Sequence, residues 1–143
     1  MVLEPHERTA LSDVVHATAV ETLLWIRGFD RAARGQDGID PLSGYVRPDW
    51  MRAATYVASK GVHRLVDLSM VEQIATPFAP LGVRPYAGVV MIAQYRWLDD
   101  PAQLPTPRPQ DISEQTAFLT FWAGRFLSQT LAEVEQWIEQ WIE

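Results

Sequence analysis

His63 is the side chain in this sequence best suited to proton transfer, because an imidazole changes charge near neutral pH. Ser59 stands four positions before it, Arg64 beside it, and Arg52 eleven positions before it. Ser59 and His63 would be a nucleophile and base one turn apart on a helix. A serine nucleophile of the hydrolase type needs a strained elbow, which a continuous helix does not supply. His6 and His16 are the other two histidines. No pair of the three has His-x-x-x-His spacing, and the chain has no cysteine. Zinc needs three or four converging ligands, so neither a metal site nor a cofactor is expected. Asp37 and Asp40 sit among glycines and prolines without the longer ladder of oxygens and closing Glu of a calcium loop; turn-forming aspartates are the expectation.

The charge balance narrows the partners. Twelve Lys+Arg against 18 Asp+Glu leave the chain at −6. The acidic excess is local: residues 109–143 hold Asp111, Glu114, Glu133, Glu135, Glu139 and Glu143 against Arg125 alone. Backbone affinity for nucleic acid comes from many cationic contacts, and there is no basic run here, so RNA is a weakly supported partner. Absence of cysteine excludes disulfides, thiolate metal sites and thiol nucleophiles. No apolar run reaches membrane-spanning length, and Met1–Arg8 lacks the basic-then-apolar order of a signal peptide. A cytoplasmic location without membrane attachment is expected.

Four segments must position these residues, within one domain over residues 1–143. From about Glu7 to Arg34, Leu11, Val15, Ala19, Leu23 and Ile26 recur at helical spacing, widened by Val14 and Thr22. Thr9 or Ser12 would cap the start, and Gly35 would take the left-handed position after the end. Residues 35–48, rich in Gly, Pro and Asp, read as a loop. Asp49 would cap a second helix reaching about Leu68, lined by Met51, Ala54, Ala58, Leu65 and Leu68 with Val57 and Val62 nearby. Ser69 and Glu72 have capping-box spacing for a short third helix that Pro77 ends. After a turn holding Pro77, Pro80, Gly82 and Pro85, residues 88–97 read as a buried strand emerging onto a surface. Its partner would be Ile39–Val46, Gly82–Pro85 or a second subunit, since one strand alone is unstable. Residues 99–110 form a Pro-rich connector. A last helix runs from Asp111 or Ser113 to the C-terminus, its core side supplied by residues such as Phe118, Phe121, Trp122, Leu131 and Val134. The fold class is thus mainly α: a bundle of three to four helices with a small β element near residues 88–97.

The closing turns repeat Glu-Gln-Trp-Ile twice, over 135–138 and 139–142. Trp137, Ile138, Trp141 and Ile142 span more of the helix circumference than one core stripe needs. They are read either as buried in a small bundle or as a homodimer interface with an acidic rim. A further aromatic group, Trp97, Phe118, Phe121 and Trp122, is core or a small-ligand site.

The order Trp25-Ile26-Arg27-Gly28-Phe29-Asp30, the loop through Leu42-Ser43-Gly44, then Tyr56-Val57-Ala58-Ser59-Lys60-Gly61-Val62-His63-Arg64-Leu65, and later Tyr95-Arg96-Trp97-Leu98-Asp99-Asp100 before a Phe-rich helix, resembles a group of small actinobacterial helical proteins. That group is in turn similar to the HEPN-type helical domains of toxin–antitoxin and defence systems. In active HEPN ribonucleases an arginine steadies the phosphate while a histidine four to six positions later moves the ribose proton. His63 matches the histidine, but Ala58 and Ser59 stand where the arginine and its polar neighbour would be. The resemblance therefore implies a non-catalytic module acting through protein–protein association. Two other functions are weighed: a metal-independent endoribonuclease using His63 with Arg64 or Arg52 as stand-in cation, and a small-ligand binder using the aromatic group.

Overall fold

A computed structural model describes residues 4–61, 63–75 and 88–142. The protein is mainly helical. Helix α1 runs Pro5–Ala33, α2 Met51–Ser59, α3 Ile112–Phe121 and α4 Leu127–Glu139, with strands β1 (Val66–Ala75) and β2 (Gly88–Trp97) between α2 and α3.

α1 begins earlier than its apolar pattern suggests. Pro5 occupies the first helical position, where a missing N–H costs nothing. His6, Thr9 and Ser12 therefore lie inside the helix, and neither Thr9 nor Ser12 stands at a cap position. Gly35 takes φ +79° just beyond the end, and a Cβ there would come within 2.6 Å of Pro41 Cγ. The buried seam is Ser12, His16, Ala19, Leu23, Ile26, Asp30 and Ala33, while Leu11, Val14 and Thr22 are exposed. The stripe is thus rotated from the one read off hydrophobic residues alone.

α2 is only nine residues long and does not reach Leu68. Trp50, not Asp49, occupies its N-cap position, without a side-chain cap. Its exit passes so close to α1 that a Cβ on Gly61 would lie 2.5 Å from Val20 Cγ1. Ser69 and Glu72 belong to β1 rather than to a third helix. β1 pairs antiparallel with β2, from Val66 opposite Trp97 to Ala75 opposite Gly88. The strand over 88–97 is therefore partnered by 66–75 and not by Ile39–Val46; Gly82–Pro85, the surrounding proline turn and Val62 lie outside the described residues.

The single C-terminal helix expected from Asp111 onward is two helices. Gly124 at φ +75° turns the chain between α3 and α4, and its N–H donates to Trp97 O at 3.0 Å while Trp97 N–H donates to Arg125 O at 3.0 Å. The end of β2 thus clamps the break. Within the connector, short 3-10 turns form at Pro101–Gln103 and Pro109–Asp111. The core gathers Leu23 from α1, Met51, Tyr56 and Val57 from α2, Leu65 and Val66, Trp97, and Phe118 and Trp122 around α3. No helix among the described residues is long and apolar enough to cross a membrane.

Candidate functional site

The structure scatters the residues expected to share a ribonuclease site. His63 is exposed and lies past the end of α2, not on a helix. Arg52 stands in the first turn of that helix, at its opposite end, and donates from Nη1 to Ser113 Oγ at 3.1 Å. Arg64 reaches forward onto the start of β1, donating to Val66 O at 3.1 Å and to Asp67 Oδ1 at 3.3 Å. Ser59 donates its hydroxyl to Tyr56 O at 3.0 Å, so it is not aimed at His63. Lys60 is held by Asp111 at 3.0 Å, where Arg108 also reaches the same carboxylate at 3.0 Å. Hydrogen bonds from Arg108 and Lys60 hold the pKa of the Asp111 carboxyl down to about 2. Among the described residues, no group of three or more His, Asp and Glu side chains converges as a metal would require.

The imidazole that does feel Arg64 is His16, a residue the sequence offers only as part of a helix stripe. His16 is buried, and its Nε2 has no hydrogen-bond partner among the described residues. Burial lowers its pKa from the ordinary 6.5; Asp13 opposes the shift and Arg64 reinforces it. The folded protein therefore holds the neutral ring, whereas the unfolded chain takes up a proton below 6.5. Stability contributed by neutral His16 is present above 6.5 and declines as pH falls below it. Replacing His16 with Leu is expected to flatten the fall in melting temperature between pH 7 and pH 5; an unchanged slope would show that other groups set it.

The aromatic residues form one continuous packing. Trp97 stacks on Trp122 with centroids 5.6 Å apart, Trp122 on Trp50 at 6.1 Å, and Trp50 meets Trp137 edge-on at 5.2 Å. Trp137 also meets Phe29 at 5.6 Å and Tyr45 at 6.1 Å, and Tyr45 meets Trp141 at 5.4 Å. Trp97, Phe118 and Trp122 are fully enclosed, so of the four aromatics considered for a ligand only Phe121 reaches a surface groove. Trp137 is core; Ile138 and Trp141 are half-buried against it, and Ile142 alone of that quartet stands in solvent.

A run of exposed apolar residues lies along α1. Trp25 is 76% exposed, Val14 62% and Leu11 45%. These residues recur at three- and four-residue spacing through Thr18 and Thr22, away from the buried seam. Thr18 donates its hydroxyl to Val14 O at 2.9 Å and Thr22 to Thr18 O at 3.0 Å. With both hydroxyls turned back on the helix, the two threonines offer methyl groups to the outside. Leu11, Val14, Thr18, Thr22 and Trp25 thus make a continuous apolar stripe that nothing among the described residues covers. Sequence reading misses it because Leu11, Val14 and Thr22 count toward the core on spacing alone.

No protein family matches the chain, and no curated protein or solved structure matches it.

Proposed function

We propose that this protein works by association rather than catalysis, as a dimer of two copies paired antiparallel along the outer face of α1. The observation that carries this is the stripe from Leu11 to Trp25. A tryptophan three-quarters exposed at the end of an apolar helix face is costly for an isolated chain, and such residues anchor interfaces.

The spacing of the stripe selects the occupant and the orientation. Leu11, Val14, Thr18, Thr22 and Trp25 follow one another at intervals of three, four, four and three, a pattern symmetric about Thr18. Antiparallel pairing about Thr18 sets Leu11 of one copy against Trp25 of the other and Val14 against Thr22, so that the stripe covers itself from end to end. The same face then serves both subunits, as a two-fold dimer requires. The proposed homodimer thus pairs through α1 and not through the C-terminal Trp/Ile turns, where Trp137 is buried.

The resemblance to HEPN-type domains supports this reading, since those domains commonly pair, and a toxin–antitoxin or defence setting is the context it suggests. Catalysis through His63 has no comparable support: the exposed imidazole has neither Arg52 nor Arg64 directed to it. Sedimentation velocity tests the proposal. Wild-type protein is expected at twice the 16.2 kDa chain mass, and Trp25→Glu at the monomer mass with an unchanged circular dichroism spectrum. A wild-type monomer, or a dimer indifferent to Trp25→Glu, would overturn it.

A further inference from the structure

A groove of about 640 Å³ lies between the start of α2 and the exposed side of α3. Arg47 and Arg52 stand on its α2 side, Ser113, Thr116 and Thr120 on its α3 side, and Pro48, Ala117 and Phe121 supply apolar wall. We propose that this groove binds a small molecule carrying an oxyanion on a flat ring, such as a phosphate monoester or a carboxylate.

Three independent features support an anion. The Arg52 guanidinium has Ser113 Oγ as its partner and no carboxylate among the described residues. One hydroxyl therefore fixes its position while most of its N–H groups remain for a ligand, in the fork geometry that matches phosphate or carboxylate. Arg47 is anchored differently, by Nε to the buried Asp30 Oδ2 at 3.2 Å, and that carboxylate is shared with Arg34. Two arginines on one buried acid leave a positive charge at this side of the groove. α2 also begins here without a side-chain cap, so its positive dipole end adds to the field. Asp49 is the one acid among the described lining residues, against two arginines.

The ring follows from the remaining surface. Thr120 spends its hydroxyl on Thr116 O at 2.8 Å and so lines the groove with its methyl, next to half-buried Phe121 and Ala117. An anion held at Arg52 would lay an attached ring against these groups. The groove volume lies in the range of small-ligand sites. The site stands apart from the α1 face, and the proposal does not depend on dimerisation.

Calorimetric titration with phenyl phosphate, phenol, inorganic phosphate and benzoate tests the assignment. Saturable binding of phenyl phosphate or of benzoate is expected, tighter than that of phenol or inorganic phosphate alone; which of the two binds better identifies the anion as phosphate or carboxylate. Arg52→Gln is expected to weaken it about tenfold or more, and Thr116→Asp, which places a like charge in the groove, to abolish it. Both positions are exposed, so melting curves should match wild type, and Trp25→Glu should bind normally. Absence of saturable binding by both anions, or binding indifferent to Arg52→Gln, would overturn the proposal.

Discussion

Asp30→Ala is expected to lower stability by about 3–5 kcal/mol, the range for removing one member of a buried charge cluster. The carboxylate is 1% exposed and serves three partners from two directions. Arg34 approaches at 3.0 Å from the next turn of α1, and Arg47 at 3.2 Å across the loop. The Tyr45 phenol donates to the other carboxylate oxygen. Burial and that hydrogen bond to Asp30 both push the Tyr45 pKa upward, so the phenol remains a donor. Alanine would strand the hydroxyl and both guanidinium groups, and would free residues 35–48 from the end of α1. It would also loosen Arg47 at the groove, so anion binding should weaken together with stability. Asp30→Asn would keep one acceptor and should cost less; Tyr45→Phe should cost about 1 kcal/mol. Urea melts measure all three, and a loss below about 1 kcal/mol for Asp30→Ala would show the cluster to be solvated.

Trp97→Ala should be comparably damaging, at about 3–5 kcal/mol for truncating a large buried aromatic. The indole lies at the meeting point of three elements. It stacks on Trp122 with an interplanar angle of 16°, meets Phe118 edge-on at 5.8 Å, and donates from Nε1 to Thr130 Oγ1 of α4 at 3.0 Å. Its backbone holds the Gly124 turn from both sides. Loss of the ring should therefore uncouple α4 as well as leave a cavity. Thr130→Val separates the two effects: it removes only the acceptor and should cost about 1 kcal/mol. With a total of roughly 5–15 kcal/mol typical of a domain, either alanine variant should show a substantial unfolded fraction on mild heating. A small loss for Trp97→Ala would mean that neighbouring rings collapse into the space.

Both residues illustrate what the sequence does and does not carry. The strand over 88–97 is legible to its ends, since a run of Val, Met and Ile followed by alternation leaves few alternatives. Its partner is not. Leu65 and Leu68 continue a three-and-four spacing from α2, and Ser69 with Glu72 imitates a helix start. What decides for strand is pairing with residues some twenty positions away. Val66, Val71 and Ile74 are the available local signal, and Gly61 the available stop. The break at Gly124 is likewise fixed from outside, by the backbone of Trp97. In α1 the helix itself is clear from its period and from Gly35. Its rotation is obscured because the buried seam holds Ser12, His16 and Asp30, polar residues that a hydrophobic count passes over. The same polar seam leaves Leu11, Val14 and Trp25 outside, so the candidate interface is made of residues that look like core. Burial of Trp137 depends on Phe29, Tyr45 and Trp50, all distant in sequence, and its i,i+4 repeat with Trp141 alone favours neither core nor interface.

Because the natural chain has no cysteine, introduced thiols can report the pairing directly. Thr18 lies midway between Leu11 and Trp25, so an antiparallel two-fold pairing centred on the stripe sets Thr18 against its own copy and Leu11 against Trp25. Thr18→Cys should form a disulfide-linked dimer under mild oxidation. Leu11→Cys alone should stay monomeric on a non-reducing gel, and a mixture of Val14→Cys with Thr22→Cys, which leaves both Trp25 anchors in place, should cross-link. Efficient cross-linking of Leu11→Cys with itself, or none at Thr18→Cys, would contradict the arrangement.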